Sequence, residues 1–239
     1  MADALPVAVK RACIVLLYLL LPVVLRGGEV VFAGYNVRNF SPLVELGRER
    51  PGKSEESAEA VIAILDKIRP DIVGVCEMGS EVQFAEFRRR LAGKGLRYPH
   101  WEWVKAADPA RPLALVSRFP IIARQSVTDA VFEANGSRVK ISRGILDVTV
   151  QVGSRPLRIL GVHLKSKLPS REGEELVRRH EAHLVRRHVE AILEADPDEP
   201  LLLYGDFNDT KDHAALREIA GRRGAATALR ALPHGSGPR

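Results

Sequence analysis

Residues 200–212, PLLLYGDFNDTKD, change character halfway along the stretch. The run LLLY is typical of a buried strand, and it leads directly into Gly205 and a cluster of carboxylates and amides. Gly, Asp and Asn are common turn formers, so a plain turn would account for this change. Polar groups at the carboxyl end of a buried strand are also typical of a ligand site at a sheet edge. The remainder of the sequence decides between these interpretations.

Three further runs end in the same way, namely EVVFAGYNV, DIVGVCE and LRILGVH. Taken singly, each terminal residue has a simpler explanation, such as a surface acid, a helix cap or a solvent-facing histidine. Four such ends together predict that one edge of the sheets carries a site. The candidate side chains are Asn36, Glu77, His163, Asp206 and Asn208.

The order of predicted elements indicates the fold class. Ser54 is a good N-cap, and the apolar spacing after it predicts a helix that ends before Pro70. Further helices are predicted over residues 81–91, 171–195 and 214–221. Strands are predicted over 113–117, and over 144–152 and 157–163 as a hairpin. Because helices separate some strands while others pair directly, the pattern favours an α+β or layered α/β domain.

Bulk composition restricts the class of protein. The chain has 239 residues and is 46% hydrophobic, which is enough for one large domain with its own core. The net charge of +6 is compatible with anionic substrates, and equally with a solvated cationic surface. Only Cys13 and Cys76 are present, which excludes a disulfide scaffold, and no Cys/His zinc spacing occurs.

The N-terminal segment, residues 1–26, resembles an export signal. Lys10 and Arg11 precede a short apolar run, ACIVLLYLLLPVVL. A cleaved signal peptide is favoured, with an uncleaved membrane anchor as the alternative. Both predict export to the periplasm or the extracellular space. Residues 27–221 are predicted to form the globular domain, and residues 222–239 a disordered basic tail.

Five motifs, YNVRNF, DIVGVCE, LVSRFP, GVHLKS and GDFND, occur in this order along the chain. Together they resemble the endonuclease/exonuclease/phosphatase superfamily, which includes the deoxyribonuclease-I-like enzymes. The resemblance implies a four-layer α/β/β/α sandwich. It also implies a phosphodiesterase or phosphatase that uses Mg²⁺, with Mn²⁺ or Ca²⁺ as alternatives.

The resemblance also implies roles for the metal-site residues. Glu77 matches the family's principal Mg²⁺ ligand, and a carboxylate suits this hard cation. Asn36 matches the amide that supports the metal and this acid.

Four other residues match the groups that act on the phosphate. Asp206 matches the residue that orients or deprotonates the attacking water, and Asn208 the amide that holds a phosphoryl oxygen. His163 matches a histidine that donates to the phosphate or to the leaving group. Arg143 resembles an arginine that approaches the phosphate, although an exposed arginine before a strand is an equal alternative.

The chain departs from the family pattern at its C-terminal end, where no Ser-Asp-His motif is found. We therefore expect the second sheet to be incomplete and catalysis to be strongly reduced. Other histidines receive no role. His180, His183 and His188 are interpreted as part of a solvated helix face, and His213 as part of a helix start.

Three functions remain open from the sequence. A secreted, monomeric phosphodiesterase acting on nucleic acid is favoured over one acting on a phospholipid or a sugar phosphate. The third is a non-catalytic remnant of the fold. Residues 98–111 contain two tryptophans and several basic residues, which fits a nucleic-acid-binding loop or an ordinary packed loop.

Overall fold

The computed structural model describes residues 30–40, 43–45, 48–50, 52–210, 212–222 and 224–230. The predicted export segment, residues 1–26, lies outside the described residues. The helices are α1 (Glu55–Ile68), α2 (Glu81–Gly93), α3 (Glu174–Ala195) and α4 (Ala214–Ala220). The strands are β1 (Phe32–Asn36), β2 (Leu43–Glu45), β3 (Arg48–Arg50), β4 (Ile72–Cys76), β5 (His100–Val104), β6 (Leu113–Ser117), β7 (Ile121–Arg124), β8 (Val131–Ala134), β9 (Ser137–Lys140), β10 (Ile145–Val152), β11 (Arg155–His163) and β12 (Leu201–Asp206). None of the helices in this part of the chain combines the length and apolar composition that a bilayer span requires.

Two four-stranded sheets form the centre of the molecule. The first has the order β1-β4-β6-β5, with β1 and β4 parallel and the remaining pairs antiparallel. The second has the order β12-β11-β10-β7, with β11 and β12 parallel and the remaining pairs antiparallel. Two short hairpins, β2–β3 and β8–β9, lie outside these sheets.

The sheets and helices stack in four layers. The buried apolar side chains of α1 and α2 form one cluster with the outer face of the first sheet. Those of α3 and α4 form a second cluster with the second sheet. Residues from both sheets, such as Leu115 and Val148, make up a third cluster between them. The predicted α+β fold, a four-layer α/β/β/α sandwich, is therefore confirmed.

Helix α1 begins and ends as its sequence predicts. The Ser54 side chain accepts a hydrogen bond from the Ser57 amide, and two glutamates in the first turn complement the helix dipole. Arg69 adopts a left-handed conformation at the C-terminal end (φ 51°), and Pro70 follows. This helix positions the first sheet from outside.

The segment predicted as a loop over residues 98–111 contains the edge strand β5. Trp101 packs edge-to-face on Phe84 of α2, with ring centroids 5.7 Å apart. The Trp103 indole nitrogen donates to the Gly79 carbonyl at 3.3 Å. Both tryptophans therefore attach β5 to the α2 region. Strand β7 and the β8–β9 hairpin also lacked a sequence prediction.

Helix α3 differs from the predicted solvated face. Arg178, Glu181 and Arg186 are all buried on its inner side, each 6% exposed or less. Arg186 donates to the Thr227 carbonyl at 2.9 Å, and the Leu229 side chain packs on the cluster of α3 and α4. Within the predicted tail, residues 224–230 are therefore described by the structure and include contacts to α3. Residues 231–239 lie outside the described part of the chain.

Tyr204 of β12 is wedged between the two sheets. Its hydroxyl donates to the Ala114 carbonyl of β6 at 3.1 Å, and its ring lies against Gly74 of β4 and Gly161 of β11. A Cβ atom at either glycine would overlap the Tyr204 ring. The two glycines therefore provide the space that lets β12 pack over the first sheet.

We expect Gly74→Ala to lower the free energy of unfolding by about 1–3 kcal/mol, because the added methyl group overpacks the space occupied by Tyr204. Urea denaturation measures this loss, which should shrink in a Tyr204→Leu background. Gly93→Ala is the matched control, since no atom lies within 4 Å of a Cβ built there. Equal effects of the two alanine substitutions would contradict the packing of Tyr204 against Gly74.

Candidate active site

Parallel pairing brings the polar strand ends together at one edge. In the first sheet, Asn36 at the end of β1 pairs with Cys76, and Glu77 follows. In the second sheet, His163 at the end of β11 pairs with Asp206 at the end of β12. Because parallel strands end on the same side of a sheet, the candidate residues of each sheet become neighbours.

The Asn36 amide connects the two sheets. Its Nδ2 donates to Glu77 Oε1 at 3.1 Å and to Asp206 Oδ2 at 2.7 Å. Its Oδ1 accepts from the Arg38 amide at 2.8 Å. One side chain thus holds together two carboxylates that belong to different layers, and hydrogen bonds to ionised acceptors of this kind are strong.

The other carboxylate oxygens are held by backbone amides. Glu77 Oε2 accepts from the Asn39 amide and Asp206 Oδ1 from the Asn208 amide, both at 2.9 Å. Glu77 and Asn208 are non-glycine residues in left-handed conformations, with φ of 63° and 50°. Backbone strain of this kind tends to accumulate at functional sites. Gly205 (φ 153°) precedes Asp206, and a side chain there would overlap the Val162 carbonyl oxygen.

His163 is a neutral base at physiological pH. It is 3% exposed, and its Nε2 lies 3.8 Å from Glu77 Oε1. Burial, followed by the positive charge of Arg143, lowers the His163 pKa from 6.5 to about 4. Its Nδ1 has no hydrogen-bond partner among the described residues.

Arg143 is a buried cation with unused donors. It is 5% exposed, and its Nη2 lies 3.1 Å from Asp108 Oδ2. Its Nε and Nη1 have no hydrogen-bond partner among the described residues. Burial disfavours ionisation of Asp108, but Arg143 and other donors outweigh it and lower the pKa of that carboxyl. A buried guanidinium with free N–H groups is suited to receive an anion.

Asn208 and Cys76 complete the immediate surroundings. The side-chain Nδ2 of Asn208 donates to the Leu164 carbonyl at 2.8 Å, and this bond connects the ends of β11 and β12. Burial raises the pKa of the Cys76 thiol to about 12, and its Sγ lies 3.5 Å from the Val162 carbonyl oxygen. Cys76 is therefore protonated at neutral pH and unsuited to act as a nucleophile.

The arrangement fits a divalent cation. Ligand atoms of Glu77, His163 and Asp206 all lie within 4.8 Å of one another. Two carboxylates supply the oxygen ligands that Mg²⁺ prefers. Asn36 differs from the other candidates, because its oxygen already accepts from a backbone amide and its nitrogen faces the carboxylates. In this arrangement Asn36 supports the ligands.

The structure brings five of the candidate residues together, namely Asn36, Glu77, His163, Asp206 and Asn208. The sixth, Arg143, lies close enough for its charge to act on His163. Asp108, the partner of Arg143, was not predicted, because a single aspartate in a loop is not marked by any distinctive sequence pattern. His213, to which the sequence assigned no role, has its Nδ1 3.1 Å from Asp209 Oδ1. This pair lies just beyond Asn208, and the His213 side chain is 60% exposed.

A four-layer sandwich with acidic, amide and histidine side chains at one sheet edge defines a deoxyribonuclease-I-like hydrolase fold. The family model described as "Endonuclease/Exonuclease/phosphatase family" matches residues 33–239. The chain therefore belongs to this family, as its motifs predict. No curated protein sequence matches it.

Solved structures with this fold are distant in sequence. Sphingomyelinase C from Streptomyces griseocarneus is 17% identical (TM-score 0.56), with 80% of this chain and 68% of that chain covered. The human Nocturnin catalytic domain with bound sulfate is 19% identical (TM-score 0.57), with 78% and 67% covered. A mutant beta toxin from Staphylococcus aureus with bound magnesium ions is 15% identical (TM-score 0.58), with 80% and 69% covered. At such identities the likeness concerns the fold alone.

The lowered pKa of His163 predicts a loss of stability in acid. The unfolded histidine binds a proton near pH 6.5 and the folded one only near pH 4, so stability falls as the pH falls through this window. The contribution of His163 is on the order of 3 kcal/mol. Urea denaturation between pH 4 and 7 should show a smaller loss for His163→Gln than for the wild type. Val82→Ala, at an exposed position without a titratable group, should retain the wild-type slope.

The role of Asn36 gives a second prediction. Asn36→Asp removes a donor shared by two carboxylates and adds a third negative charge. We expect it to lower the metal-free free energy of unfolding by about 1–3 kcal/mol. Added Mg²⁺ should stabilise this variant more than the wild type, as measured by thermal unfolding with chelator and with Mg²⁺. Asn135→Asp, in an exposed hairpin turn, is the control, and an equal response of the two variants would refute the role.

Proposed function

We propose that this protein is a divalent-metal-dependent phosphodiesterase that acts on nucleic acid. The observation that carries the proposal is the pairing of two carboxylates, Glu77 and Asp206, with the buried and only partly bonded Arg143 near the same edge. Carboxylates attract a cation, and the guanidinium attracts an anion. A metal-bound phosphate satisfies both.

Glu77 would be the principal metal ligand, with Asp206 and His163 within reach. The magnesium ions in the beta toxin structure support Mg²⁺ as the cofactor, with Mn²⁺ or Ca²⁺ as alternatives. When bound, the ion would offset the negative charge of the phosphate and lower the pKa of a nearby water.

The protein's own residues would divide the remaining work. Arg143 would bind a non-bridging phosphoryl oxygen through its free N–H groups, and the Asn208 amide would orient another. Asp206 would orient the attacking water and accept its proton. His163, neutral at pH 7, would donate a hydrogen bond through one ring nitrogen without adding a charge.

Exposed basic residues favour a polyanionic substrate. Lys167 and Arg171 are exposed in the segment after β11, and Arg138 and Lys140 are exposed on β9. Together with the net charge of +6, they provide cations that nucleic-acid phosphates would contact. The protein would be exported, a proposal that rests on the sequence pattern of residues 1–26, and it would act as a monomer.

Hydrolysis tests the proposal directly. Plasmid DNA and bis(p-nitrophenyl) phosphate should be cleaved in Mg²⁺ and left intact in chelator. Glu77→Gln should lower the rate at least about a hundredfold, because the preorganised charge of the site is lost. Glu56→Gln, a surface change on α1, should retain the wild-type rate.

The other outcomes separate the alternatives. Metal-dependent cleavage of sphingomyelin or a sugar phosphate, with DNA left intact, would replace nucleic acid by that substrate class. Folded wild-type protein that cleaves none of these substrates above the Glu77→Gln rate would indicate a non-catalytic member of the fold.

A further inference from the structure

Glu181 is a buried carboxylate outside the group of site residues. It lies on α3 and is 1% exposed. Its Oε1 accepts from the Ser142 amide at 2.9 Å, and its Oε2 accepts from the Lys165 amide at 2.6 Å. Each oxygen thus bonds a different loop. A buried carboxylate is costly unless it is hydrogen-bonded, so these two backbone amides account for its position.

The two amides belong to the segments that carry the proposed phosphate-binding groups. Ser142 directly precedes Arg143, and Lys165 follows His163 by two positions. Leu164 lies between His163 and Lys165, and its carbonyl accepts a hydrogen bond from the Asn208 side chain. A single carboxylate therefore links the Arg143 loop to the end of β11.

Arg178, on the same buried side of α3, contacts both the segment after β11 and the segment after β12. Its Nη1 donates to the Lys165 carbonyl at 3.2 Å and lies 3.4 Å from the Ser166 carbonyl oxygen. Its Nε lies 3.7 Å from Asp209 Oδ2, next to Asn208. Glu181 and Arg178, which we term the α3 clamp, together contact three segments beside the site. These segments carry Ser142, Lys165 and Asp209.

The opposite half of α3 is fixed to the second sheet. His188 Nε2 lies 2.7 Å from Asp147 Oδ2, and Arg158 donates to both oxygens of Asp147, which is fully buried. This connection holds the helix against movement relative to β10 and β11. The α3 clamp thus extends from a rigid support, and such support is what keeps a site in its productive geometry.

We propose that Glu181 is a positioning residue that sets the separation of Arg143 and His163, and thereby the affinity of the site for phosphate. The inference rests on the proposed function. The carboxylates of Glu77 and Asp206 are held by the Asn36 side chain and by nearby backbone amides. None of those bonds involves the α3 clamp. Loss of Glu181 should therefore weaken phosphate binding more than cation binding, to which His163 is the one contributor on a segment that Glu181 holds.

Calorimetric titration of the full chain tests this separation. The probes are Mg²⁺ alone and inorganic phosphate in saturating Mg²⁺. Glu181→Gln should raise the Kd for phosphate about tenfold or more, as loss of supporting hydrogen bonds does in metal sites, and raise the Kd for Mg²⁺ by a much smaller factor. In hydrolysis, kcat/KM should fall by a factor similar to that for phosphate, while the Mg²⁺ concentration for half-maximal rate changes by a much smaller factor.

Two further variants keep the test decisive. Glu190→Gln is the matched control, because Glu190 lies on the same helix and pairs with Arg186 away from the site. Glu181→Asp retains the charge but is too short to bond both loops. It should show the same separation, and it carries the test if Glu181→Gln does not fold.

Each outcome bears on a different claim. Wild-type phosphate affinity in both Glu181 variants, or a parallel loss of phosphate and Mg²⁺ binding, would overturn the positioning role while the proposed function stands. A wild-type protein that neither binds phosphate with Mg²⁺ nor hydrolyses a phosphodiester would refute the proposed function itself, and with it the role of Glu181. That failure is visible before any variant is made.

Discussion

The packing of Tyr204 between the two sheets is the constraint on which the site depends. The ring fits because Gly74 and Gly161 lack side chains, and the hydroxyl bonds the Ala114 carbonyl of the opposite sheet. This contact fixes the separation of β4 and β12 just below their polar ends. Only at that separation does the Asn36 amide reach carboxylates from both layers. The site geometry is therefore a consequence of inter-sheet packing, with side-chain chemistry added at the rim.

Charge is distributed around the site in two separately supported groups. The carboxylates of Glu77 and Asp206 are held by Asn36 and by backbone amides, whereas Arg143 and His163 lie on segments that α3 holds from outside. Burial, and after it the positive charge of Arg143, lowers the pKa of His163, so the imidazole adds no charge at neutral pH. The positive charges that act on His163 include the guanidinium groups of Arg143 and Arg111. The supports of Arg143 can therefore change without altering the bonds that hold the carboxylates of Glu77 and Asp206.

The sequence predicts what local patterns encode. Polar residues at the ends of apolar runs identified the site edge, and Ser54 and Pro70 identified the limits of α1. The predictions failed where a residue's environment comes from distant segments. Nothing near Glu181 in the sequence indicates that its carboxylate bonds Ser142 and Lys165, and a charged helix therefore looked solvated. Likewise β5, with its alternating tryptophans, becomes a strand because β6 pairs with it and α2 covers it.

The Asn36–Asp206 hydrogen bond joins residues separated by 170 positions. Strands from the beginning and the end of the domain therefore meet at a single point. During synthesis on the ribosome, the early layer and its acid emerge long before the strand that completes them. Pairing between such remote segments makes folding slow, because a large loop must close before the contacts form. The carboxylate of Glu77 consequently lacks its neighbour Asp206 until β12 has docked, so assembly of the candidate site reports on docking of that strand.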